Sequence, residues 1–408
     1  MRKMKDSGIE WIGEIPAGWE IKYFVQLFSQ VKNKNIGLRE KNLLSLSYGK
    51  IKQKSIETVG GLLPDSFEGY NIIDRNDIVL RLTDLQNDQH SLRVGLSHER
   101  GIITSAYCSI RVRGAESPNY LYYYLHTFDI AKGFYGMGSG VRQGLNWDGL
   151  KYIKILLPPQ HEQDRISVFL NQKTLEIDSM LSKTISSIEE YKKLKQAVIT
   201  QAVATQQCSH IKLKYLMNVI VDCPHETPTY SFTGNYYVIR TADQALASLR
   251  RDEDMYRLDA SEYKKRTRRL TLDKDDIVYG REGERWGLAC IVPKSNKYCL
   301  GQRIMQFRCN TKFLYPKYAM YALNSEPVYL QGVADTIGST SPHVNISTIC
   351  NYLLPVPALT EQKEIANYLD AKCAEIDGLI AKKEQLVKEL ESYKKSLIYE
   401  VVTGKREV

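Results

Sequence analysis

The C-terminal half of the chain repeats the N-terminal half at a constant spacing of 199 residues. The repeat is strongest between 158–203 and 357–402, where 14 of 46 ungapped positions are identical. Unrelated segments of average composition would share roughly three identities over this length. The identities include Glu162-Gln163 with Glu361-Gln362 and Glu176-Ile177-Asp178 with Glu375-Ile376-Asp377. A chain duplicated in this way presents two similar surfaces related by an approximate two-fold axis, which suits a two-fold partner or two copies of one partner.

The repeat continues more faintly upstream of these segments. The further matches are Asp77-Ile78-Val79 with Asp276-Ile277-Val278 at the same spacing, Pro118-x-Tyr120-x-x-Tyr123 with Pro316-x-Tyr318-x-x-Tyr321 at a spacing of 198, and Ile21-Lys22 with Ile211-Lys212 at a spacing of 190. Each half therefore consists of a variable globular part followed by a well-matched tail. We infer that the tails perform one shared task twice, whereas the globular parts perform related tasks on different targets.

The two tails have the composition of long helices. The segment 162–204 contains no Pro or Gly, and 361–403 contains only Gly378. Apolar residues recur at alternating spacings of three and four in both, which is typical of a coiled coil. The predicted interhelical positions are Ile177, Leu181, Thr184, Ile188, Tyr191, Lys195, Val198 and Ala202 in the first tail and Ile376, Ile380, Lys383, Val387, Leu390, Lys394, Leu397 and Val401 in the second. We predict that the helices pair antiparallel; the alternative is that each packs separately on its own domain.

The globular parts are rich in short predicted strands. Asp77–Arg81 and Asp276–Arg281 are typical of strands that follow turns, and 110–113 and 305–308 alternate apolar with polar residues. The chain is therefore predicted to be an α+β protein in which two mixed α/β domains are joined by two long helices that form an antiparallel coiled coil, with pseudo-two-fold internal duplication. The predicted boundaries are 1–152, 153–208, 209–350 and 351–408.

The charge balance favours a polyanionic partner. The net charge is +9, and 27 Tyr residues supply stacking faces and hydroxyl groups. The run Lys264-Lys265-Arg266-Thr267-Arg268-Arg269 holds five cations in six residues. Such a run indicates either a nucleic-acid contact or an ordinary solvated surface.

The motif search predicts a non-catalytic chain. There is no Gly-x-x-x-x-Gly-Lys-Ser/Thr loop, no Asn/Asp-Pro-Pro-aromatic motif, and no metal-ligand spacing among the seven His residues. We therefore expect no catalytic residue, no metal and no cofactor in this chain. No run of 18 apolar residues and no secretory signal is present, and the eight Cys residues are scattered, so we expect a cytoplasmic protein with reduced thiols.

The ordered motifs resemble the specificity (S) subunits of type I restriction–modification systems. The resemblance rests on the opening Ser7-Gly8-Ile9-Glu10-Trp11-Ile12-Gly13, the hinge motifs Leu157-Pro158-Pro159-x-x-Glu162-Gln163 and Leu354-Pro355-Val356-Pro357-x-x-x-Glu361-Gln362, and the ending Val401-Val402-Thr403-Gly404-Lys405. It covers the whole chain and the order of all four parts. The resemblance implies target-recognition domain 1 at 1–152, a central helical spacer region at 153–208, target-recognition domain 2 at 209–350 and a C-terminal helical spacer region at 351–408.

The resemblance also implies a function. Each target-recognition domain is expected to bind one half of a bipartite, asymmetric site in double-stranded DNA, and the helices are expected to set the gap. The chain would then position two methyltransferase (M) subunits, which methylate adenine N6, and restriction/translocase (R) subunits. S-adenosylmethionine, ATP and Mg are expected in those partners rather than in this chain. The alternative is a stand-alone bipartite DNA-binding regulator that has no enzyme partners.

Base readout in the major groove requires Arg, Lys, Asn, Gln, Ser or Thr on accessible loops. The predicted DNA-binding residues of the first domain are Lys50, Lys52, Lys54, Arg81, Thr83, Ser139, Arg142 and Gln143. Those of the second domain are Arg240, Lys264, Arg266, Arg268, Arg281, Arg285, Ser339, Thr340 and His343. Arg81 and Arg281 are favoured because both follow the duplicated strand.

Overall fold

The computed structural model describes residues 2–55, 64, 66–85, 88, 92–137, 144–204, 208–336 and 342–408. The chain forms two compact units. Unit 1 comprises Met1–Lys183 and Leu386–Val408, and unit 2 comprises Thr184–Gln385. Each unit therefore contains one globular part together with segments of both tails.

Unit 1 contains twelve short strands among its described residues. They are β1 (Met4–Asp6), β2 (Glu14–Pro16), β3 (Glu20–Tyr23), β4 (Phe28–Gln30), β5 (Leu44–Ser47), β6 (Lys50–Gln53), β7 (Asn71–Ile73), β8 (Ile78–Leu80), β9 (Val94–Leu96), β10 (Gly101–Ile103), β11 (Cys108–Val112) and β12 (Lys154–Leu157). Its helices are α1 (Phe24–Leu27), α2 (Pro118–Ile130), α3 (Trp147–Leu150) and the first part of α4 (Gln160–Ala204).

Unit 2 repeats this organisation with eleven strands among its described residues. Its strands are β13 (Ser209–Lys212), β14 (Met217–Asp222), β15 (Tyr236–Ile239), β16 (Gln244–Ala245), β17 (Ser248–Leu249), β18 (Arg257–Leu258), β19 (Ile277–Gly280), β20 (Ala289–Ile291), β21 (Tyr298–Leu300), β22 (Ile304–Cys309) and β23 (Leu353–Val356). Its helices are α5 (Leu213–Leu216), α6 (Ala260–Arg266), α7 (Pro316–Leu323), α8 (Glu326–Val333), α9 (Ile346–Cys350) and the first part of α10 (Leu359–Val402), with 3₁₀ turns at Thr241–Asp243 and Asp252–Asp254.

Each unit has a four-stranded antiparallel sheet with an equivalent strand order. The order is β4-β11-β8-β9 in unit 1 and β14-β22-β19-β20 in unit 2. The duplicated aspartate precedes the inner strand β8 or β19. Asp77 accepts from Arg111 Nε at 2.7 Å, and Asp276 accepts from Arg308 Nε at 2.8 Å. The recurring Asp-Ile-Val motif therefore combines a buried carboxylate, paired with an arginine of the neighbouring strand, with two core residues.

A two-stranded ribbon connects each globular part to its long helix. β3 pairs with β12 and β13 pairs with β23, which explains the similarity of Ile21-Lys22 to Ile211-Lys212. The repeated tyrosines fix the helix that follows the sheet against this ribbon. Tyr120 donates to the Leu156 carbonyl at 3.0 Å, and Tyr318 donates to the Pro355 carbonyl at 2.9 Å. Duplicated sequence therefore corresponds to duplicated contacts.

The pairing of the tails is confirmed within each unit. In both units the N-terminal part of one long helix shares a hydrophobic core with the C-terminal part of the other, as in antiparallel helices. Unit 1 buries Ile177 and Leu397 in its main core, and unit 2 buries Ile199 and Leu369. The predicted helix limits are correct to within two residues at each end.

Two lysines of the interhelical positions form ion pairs with the opposite helix. Lys394 Nζ donates to Asp178 at 2.6 Å in unit 1, and Lys195 Nζ donates to Asp377 at 2.8 Å in unit 2. Charges at otherwise apolar positions disfavour shifted alignments, because a shift would leave them without a partner. The two ion pairs therefore favour this register of the helices.

The helix after Pro118 is longer than the local sequence pattern indicates. α2 extends over 13 residues. Ser117 caps it by accepting from the Tyr120 backbone N–H at 3.4 Å, and nearly all of its residues from Tyr120 to Asp129 are buried. A helix buried on most faces lacks the one-sided apolar period that sequence patterns detect.

Candidate nucleic-acid interface

In unit 2 a polar cluster surrounds the end of β19. Arg281 directly follows the strand, and its Nη2 lies 2.8 Å from Glu282 Oε1 while its Nε donates to Asp222 at 3.2 Å. The Arg281 backbone N–H donates to the Arg303 carbonyl, and its own carbonyl accepts from the Val344 N–H. Arg281 is thus held by both backbone and side chain, and its guanidinium is largely buried among acidic partners.

Three residues of this cluster were not predicted as DNA contacts. His225 Nε2 lies 3.2 Å from Asp222 Oδ2, and Arg303 Nε lies 3.9 Å from Glu282 Oε2 with about half of the side chain exposed. Gln302, next to Arg303, donates to the Thr227 hydroxyl at 3.3 Å. The sequence offers no period or motif that would single these residues out, because they converge from two separate segments.

The predicted residue His343 joins the same cluster. Its backbone forms an isolated antiparallel bridge with Glu282, and the Gly283 N–H donates to the neighbouring Pro342 carbonyl. The small-residue loop 337–341 that precedes His343 contains the candidates Ser339 and Thr340, which lie outside the described residues. In unit 2, Arg281, Arg303 and His343 therefore converge at one edge of the sheet.

The basic run of unit 2 divides into exposed and buried residues. Lys264, Arg268 and Arg269 are exposed, and none has an ion-pair partner within the part of the chain that the structure describes. Lys265 lies 2.9 Å from Glu226. Arg266 is only 7% exposed. Three cations of this run therefore remain available to a polyanion.

The geometry argues against the predicted DNA contact of Arg266. Its guanidinium donates to the Leu300 carbonyl at 2.9 and 3.1 Å and to the Glu226 carbonyl at 3.0 Å. Arg266 is the last residue of α6, so its side chain turns towards β21 while its sequence neighbours point outward. A buried guanidinium satisfied by backbone carbonyls stabilises the fold rather than binding a ligand at the surface.

Arg240 and Arg285 are both tied to the segment 240–244. Arg240 forms a bidentate pair with the buried carboxylate of Asp243 at 2.9 Å and stacks on the Tyr256 ring at 3.8 Å. The hydrogen bond to Asp243 raises the pKa of Arg240. Arg285 Nη1 donates to the Ala242 carbonyl at 2.9 Å and to the Gln244 carbonyl at 3.1 Å, although the residue itself is exposed. Both guanidinium groups are therefore preorganised.

In unit 1, Arg81 and Thr83 lie on a loop organised by Arg93, which sequence reasoning missed. Arg93 is fully buried and donates to the Arg81 carbonyl at 3.1 Å and to the Thr83 carbonyl at 2.8 Å. It also donates to the Asp84 and Asp88 carbonyls and lies over the Tyr135 ring. Arg81 Nη2 itself lies 3.4 Å from Asp88. The conformation of the loop after the duplicated strand thus depends on one arginine.

The three predicted lysines of unit 1 have different surroundings. Lys50 Nζ donates to Asp178 of α4 at 2.8 Å, so it faces the helices. Lys52 and Lys54 are exposed and have no ion-pair partner among the described residues. Lys32, which follows β4 and is also exposed, was not among the predicted residues. Ser139, Arg142 and Gln143 lie outside the described residues.

The described residues contain neither a metal-ligand cluster nor a membrane-spanning helix. No group of three or more His, Cys, Asp or Glu is arranged to hold a metal ion in these residues. No helix in the described part of the chain is long and apolar enough to cross a membrane.

Comparison with known proteins relates this geometry to a family. Residues 223–389 match the model of the type I restriction modification DNA specificity domain. The matched segment belongs to the specificity domains of type I restriction–modification systems. The matched range contains the cluster at the end of β19 and the basic run at 264–269, so the candidate interface of unit 2 lies within a DNA specificity domain.

Two similar proteins are described as specificity subunits of type I restriction enzymes. The chain is 29% identical over 132 residues to the type I restriction enzyme EcoBI specificity subunit of Escherichia coli, a match over 32% of this chain and 27% of that relative. It is 22% identical over 355 residues to the type I restriction enzyme MjaVIII specificity subunit of Methanocaldococcus jannaschii, which covers 82% of this chain and 80% of that relative.

Solved structures share the fold. A chain from a structure described as the basis of complex assembly and conformational transition of the type I R-M system aligns with a TM-score of 0.69 at 16% identity, over 96% of this chain and 99% of that chain. The HsdS subunit from Thermoanaerobacter tengcongensis aligns with a TM-score of 0.50 at 15% identity, over 96% and 98%. The α+β architecture of the specificity subunit is thereby confirmed.

Proposed function

We propose that this specificity subunit reads a bipartite, asymmetric DNA site, with one half-site bound by the globular part of each unit. The observation that carries the proposal is the pair of arginines at equivalent strand ends. Arg81 follows β8 and Arg281 follows β19, but the two are held by different partners, Asp88 in unit 1 and Asp222 and Glu282 in unit 2. Arginines that follow equivalent strands, one residue apart in the register of the repeat and held by different partners, suit two half-sites of different sequence.

Exposed cations supply the sequence-independent part of the binding. Lys52 and Lys54 in unit 1 and Lys264, Arg268 and Arg269 in unit 2 have no ion-pair partner among the described residues. Contacts of such residues with phosphates fix the position of a protein on the duplex, whereas contacts with base edges select the sequence. Arg303 and His343, which lie beside the buried ion pairs of Arg281, form the proposed base-reading surface of unit 2.

The long helices act as the spacer in this proposal. The rotational phase between two half-sites changes by about 34° for each base pair inserted, since B-DNA has 10–10.5 base pairs per turn. A helix pair whose register is fixed by ion pairs such as Lys195–Asp377 would reject the wrong spacing. The tails also offer repeated surfaces to two copies of one partner, as the duplication indicates.

The proposed partners are two methyltransferase (M) subunits that methylate adenine N6 and restriction/translocase (R) subunits. The chain itself would select the DNA sequence and position the partner subunits, and it would not catalyse a reaction. S-adenosylmethionine, ATP and Mg would be bound by those partners, and the complex would act in the cytoplasm. The proposed domains keep the boundaries 1–152, 153–208, 209–350 and 351–408.

The adenine methylation pattern of the host genome tests the proposal. Single-molecule sequencing is performed with the gene present, with the gene deleted, and with the deletion complemented by a variant in which Lys264, Arg268 and Arg269 are all Gln. We expect a split, asymmetric methylated motif that disappears on deletion and is weakened in the complemented variant. An unchanged pattern, in a strain that expresses the methyltransferase subunit, would overturn the proposal and favour a stand-alone DNA-binding regulator.

A further inference from the structure

Unit 1 contains a cavity that DNA reading does not explain. Its volume is about 430 Å³, within the range of small-molecule sites. The residues that line it come from the β5–β6 hairpin, α2, α4 and α10 and include Tyr48, Lys50, Tyr122, His126, Asp178, Glu391, Lys394 and Lys395. A hairpin of the globular part therefore faces both long helices across this space.

The unusual residue of the cavity is His126. It is 8% exposed, and its Nδ1 is buried without a hydrogen-bond partner among the described residues. Its ring stacks with Tyr122 at 5.8 Å between centroids. A buried polar atom without a partner costs about 1–3 kcal/mol, so such atoms are uncommon unless a ligand or water satisfies them. Burial, followed by the charges of Lys394 and Lys395, lowers the pKa of His126 to about 4, so the imidazole is neutral at pH 7.

The charged groups of the cavity are only partly neutralised. Asp178 accepts from Lys50 at 2.8 Å and from Lys394 at 2.6 Å. Lys395 has no ion-pair partner, and Glu391 has no hydrogen bond or ion pair among the described residues. The cavity therefore combines aromatic faces, a neutral imidazole, one available ammonium group and one available carboxylate.

The equivalent position of unit 2 lines a smaller cavity, of about 280 Å³, in which the corresponding polar groups have partners. Asn324 occupies the place of His126 in the repeat, and its amide donates to the Ala289 carbonyl at 2.7 Å and accepts from the Ala289 N–H at 3.1 Å. Gln196 replaces Lys395 and donates to the Asn324 carbonyl at 2.7 Å. The Leu246 carbonyl accepts from Lys195 at 2.8 Å, so the lysine equivalent to Lys394 is also satisfied.

We propose that the unit 1 cavity binds a nucleobase that carries a phosphate, with the base beside Tyr122 and His126 and the phosphate at Lys395. The aromatic rings provide stacking faces for a flat heterocycle. The free imidazole nitrogen and the Glu391 carboxylate complement the polar edge of a base or the hydroxyls of a sugar, and the ammonium group of Lys395 complements the phosphate. The ligand is either a free nucleoside monophosphate or an unpaired nucleotide of a nucleic-acid strand.

Isothermal titration calorimetry of the full chain tests this proposal with four probes: adenosine 5′-monophosphate, adenosine, inorganic phosphate and a short single-stranded oligodeoxynucleotide. We expect saturable binding of the monophosphate and weaker binding of adenosine and of phosphate. His126→Asn and Lys395→Gln should each raise the Kd by about tenfold, the loss of one hydrogen bond to a charged or buried group. Both substitutions introduce the residue that the repeat itself carries in unit 2, so the fold is expected to tolerate them.

The matched control is Lys388→Gln, which should leave the Kd unchanged. Lys388 is an exposed lysine of the unit 1 segment of α10 and does not line the cavity. An oligonucleotide that binds more tightly than the monophosphate, and is weakened by the same two variants, identifies a nucleic-acid strand as the source. Tighter binding of the monophosphate than of the oligonucleotide identifies a free nucleotide as the source. No saturable binding of either probe, equal binding by inorganic phosphate, or variants that bind like the unmodified chain would each overturn the proposal. If His126→Asn fails to fold, the exposed residue Lys395 alone carries the test.

Discussion

The side-chain carbonyl of Gln362 accepts a hydrogen bond from the backbone N–H of Tyr315 at 2.7 Å. The amide of the same residue donates to the Phe313 and Pro357 carbonyls at 2.9 Å. Gln163 does the same in unit 1, accepting from the Ser117 N–H at 2.9 Å and donating to the Pro158 carbonyl at 2.9 Å. The duplicated glutamine therefore fastens the start of each long helix to the segment that begins α2 or α7.

Replacement of Gln362 by Leu should destabilise this junction by about 1–3 kcal/mol, because three backbone groups, one of them in a fully buried hydrogen bond, lose their partner. Hydrogen exchange of the Tyr315 amide measures the effect locally and should accelerate, while amides of unit 1 remain unchanged. Lys363→Ala, at an exposed position one residue further along α10, is the control. Equal exchange rates in Gln362→Leu and Lys363→Ala would contradict the assigned role.

Lys195→Met should loosen the helix pair in unit 2. Lys195 is buried and donates to both Asp377 and the Leu246 carbonyl, so the substitution leaves a carbonyl without its donor and costs about 1–3 kcal/mol. The measurement is hydrogen exchange in 184–204, with the exposed neighbour Lys193→Met as control. If Asp377→Ala changed the exchange rates equally in the unmodified chain and in Lys195→Met, the two side chains would have no coupling energy. The prediction would then be wrong.

Arg93→Lys should impair DNA discrimination more than DNA affinity. A lysine ammonium cannot span the carbonyls of Arg81 and Thr83 as the planar guanidinium does, so the loop loses its conformation without losing a phosphate contact. In the assembled complex we expect the ratio of specific to non-specific binding to fall by about tenfold or more, with the slope of log K against log salt unchanged. A changed slope with an unchanged ratio would show that Arg93 acts on phosphates instead.

Arg266 and Arg268 should behave oppositely although they are two residues apart. Arg268→Gln is expected to reduce the salt slope of DNA binding by about 0.9 and to leave stability unchanged, since each phosphate contact contributes about that amount. Arg266→Gln is expected to destabilise unit 2, because the Leu300 and Glu226 carbonyls lose a buried donor. Thermal denaturation and salt titration of both variants separate the two effects, and a reduced slope in stably folded Arg266→Gln would refute the assignment.

His126 should make the protein sensitive to acid. Its pKa falls from 6.5 to about 4 on folding, chiefly through burial. The folded state therefore binds fewer protons than the unfolded state between these values, and stability is lost as the pH falls from 6.5 towards 4. At pH 5 the loss is about 2 kcal/mol, and His126→Asn should remove it. Chemical denaturation at pH 7 and pH 5 provides the measurement.

Asp129, on the same helix, has the opposite effect on the pH dependence of stability. Burial raises its pKa from 3.8 to about 6, so its contribution to stability is lost as the pH rises through about 6. The difference between the unmodified chain and His126→Asn isolates the histidine, because Asp129 is common to both. A difference that does not change between pH 7 and pH 5 would refute the predicted titration of His126.

The sequence alone predicted the features that depend on local order and on repetition. The helix pair follows from apolar spacing and from the absence of Pro and Gly. The ion-paired lysines could be recognised as matched polar interruptions at Lys195 and Lys394. The duplicated sheets follow from Asp77 and Asp276 because a repeat of sequence is a repeat of structure. Family and function were accessible for the same reason.

Only the tertiary structure decided which basic residues are available to DNA. Lys50 pairs with Asp178, 128 residues away, and Arg266 donates to Leu300, 34 residues away, whereas Arg268 has no ion-pair partner among the described residues. The role of Arg93 and the cavity at His126 were equally invisible, because both arise where distant segments meet. A periodic pattern records which side of a helix or strand faces inward, but the partner of a single charged side chain is set by long-range packing that no local pattern encodes.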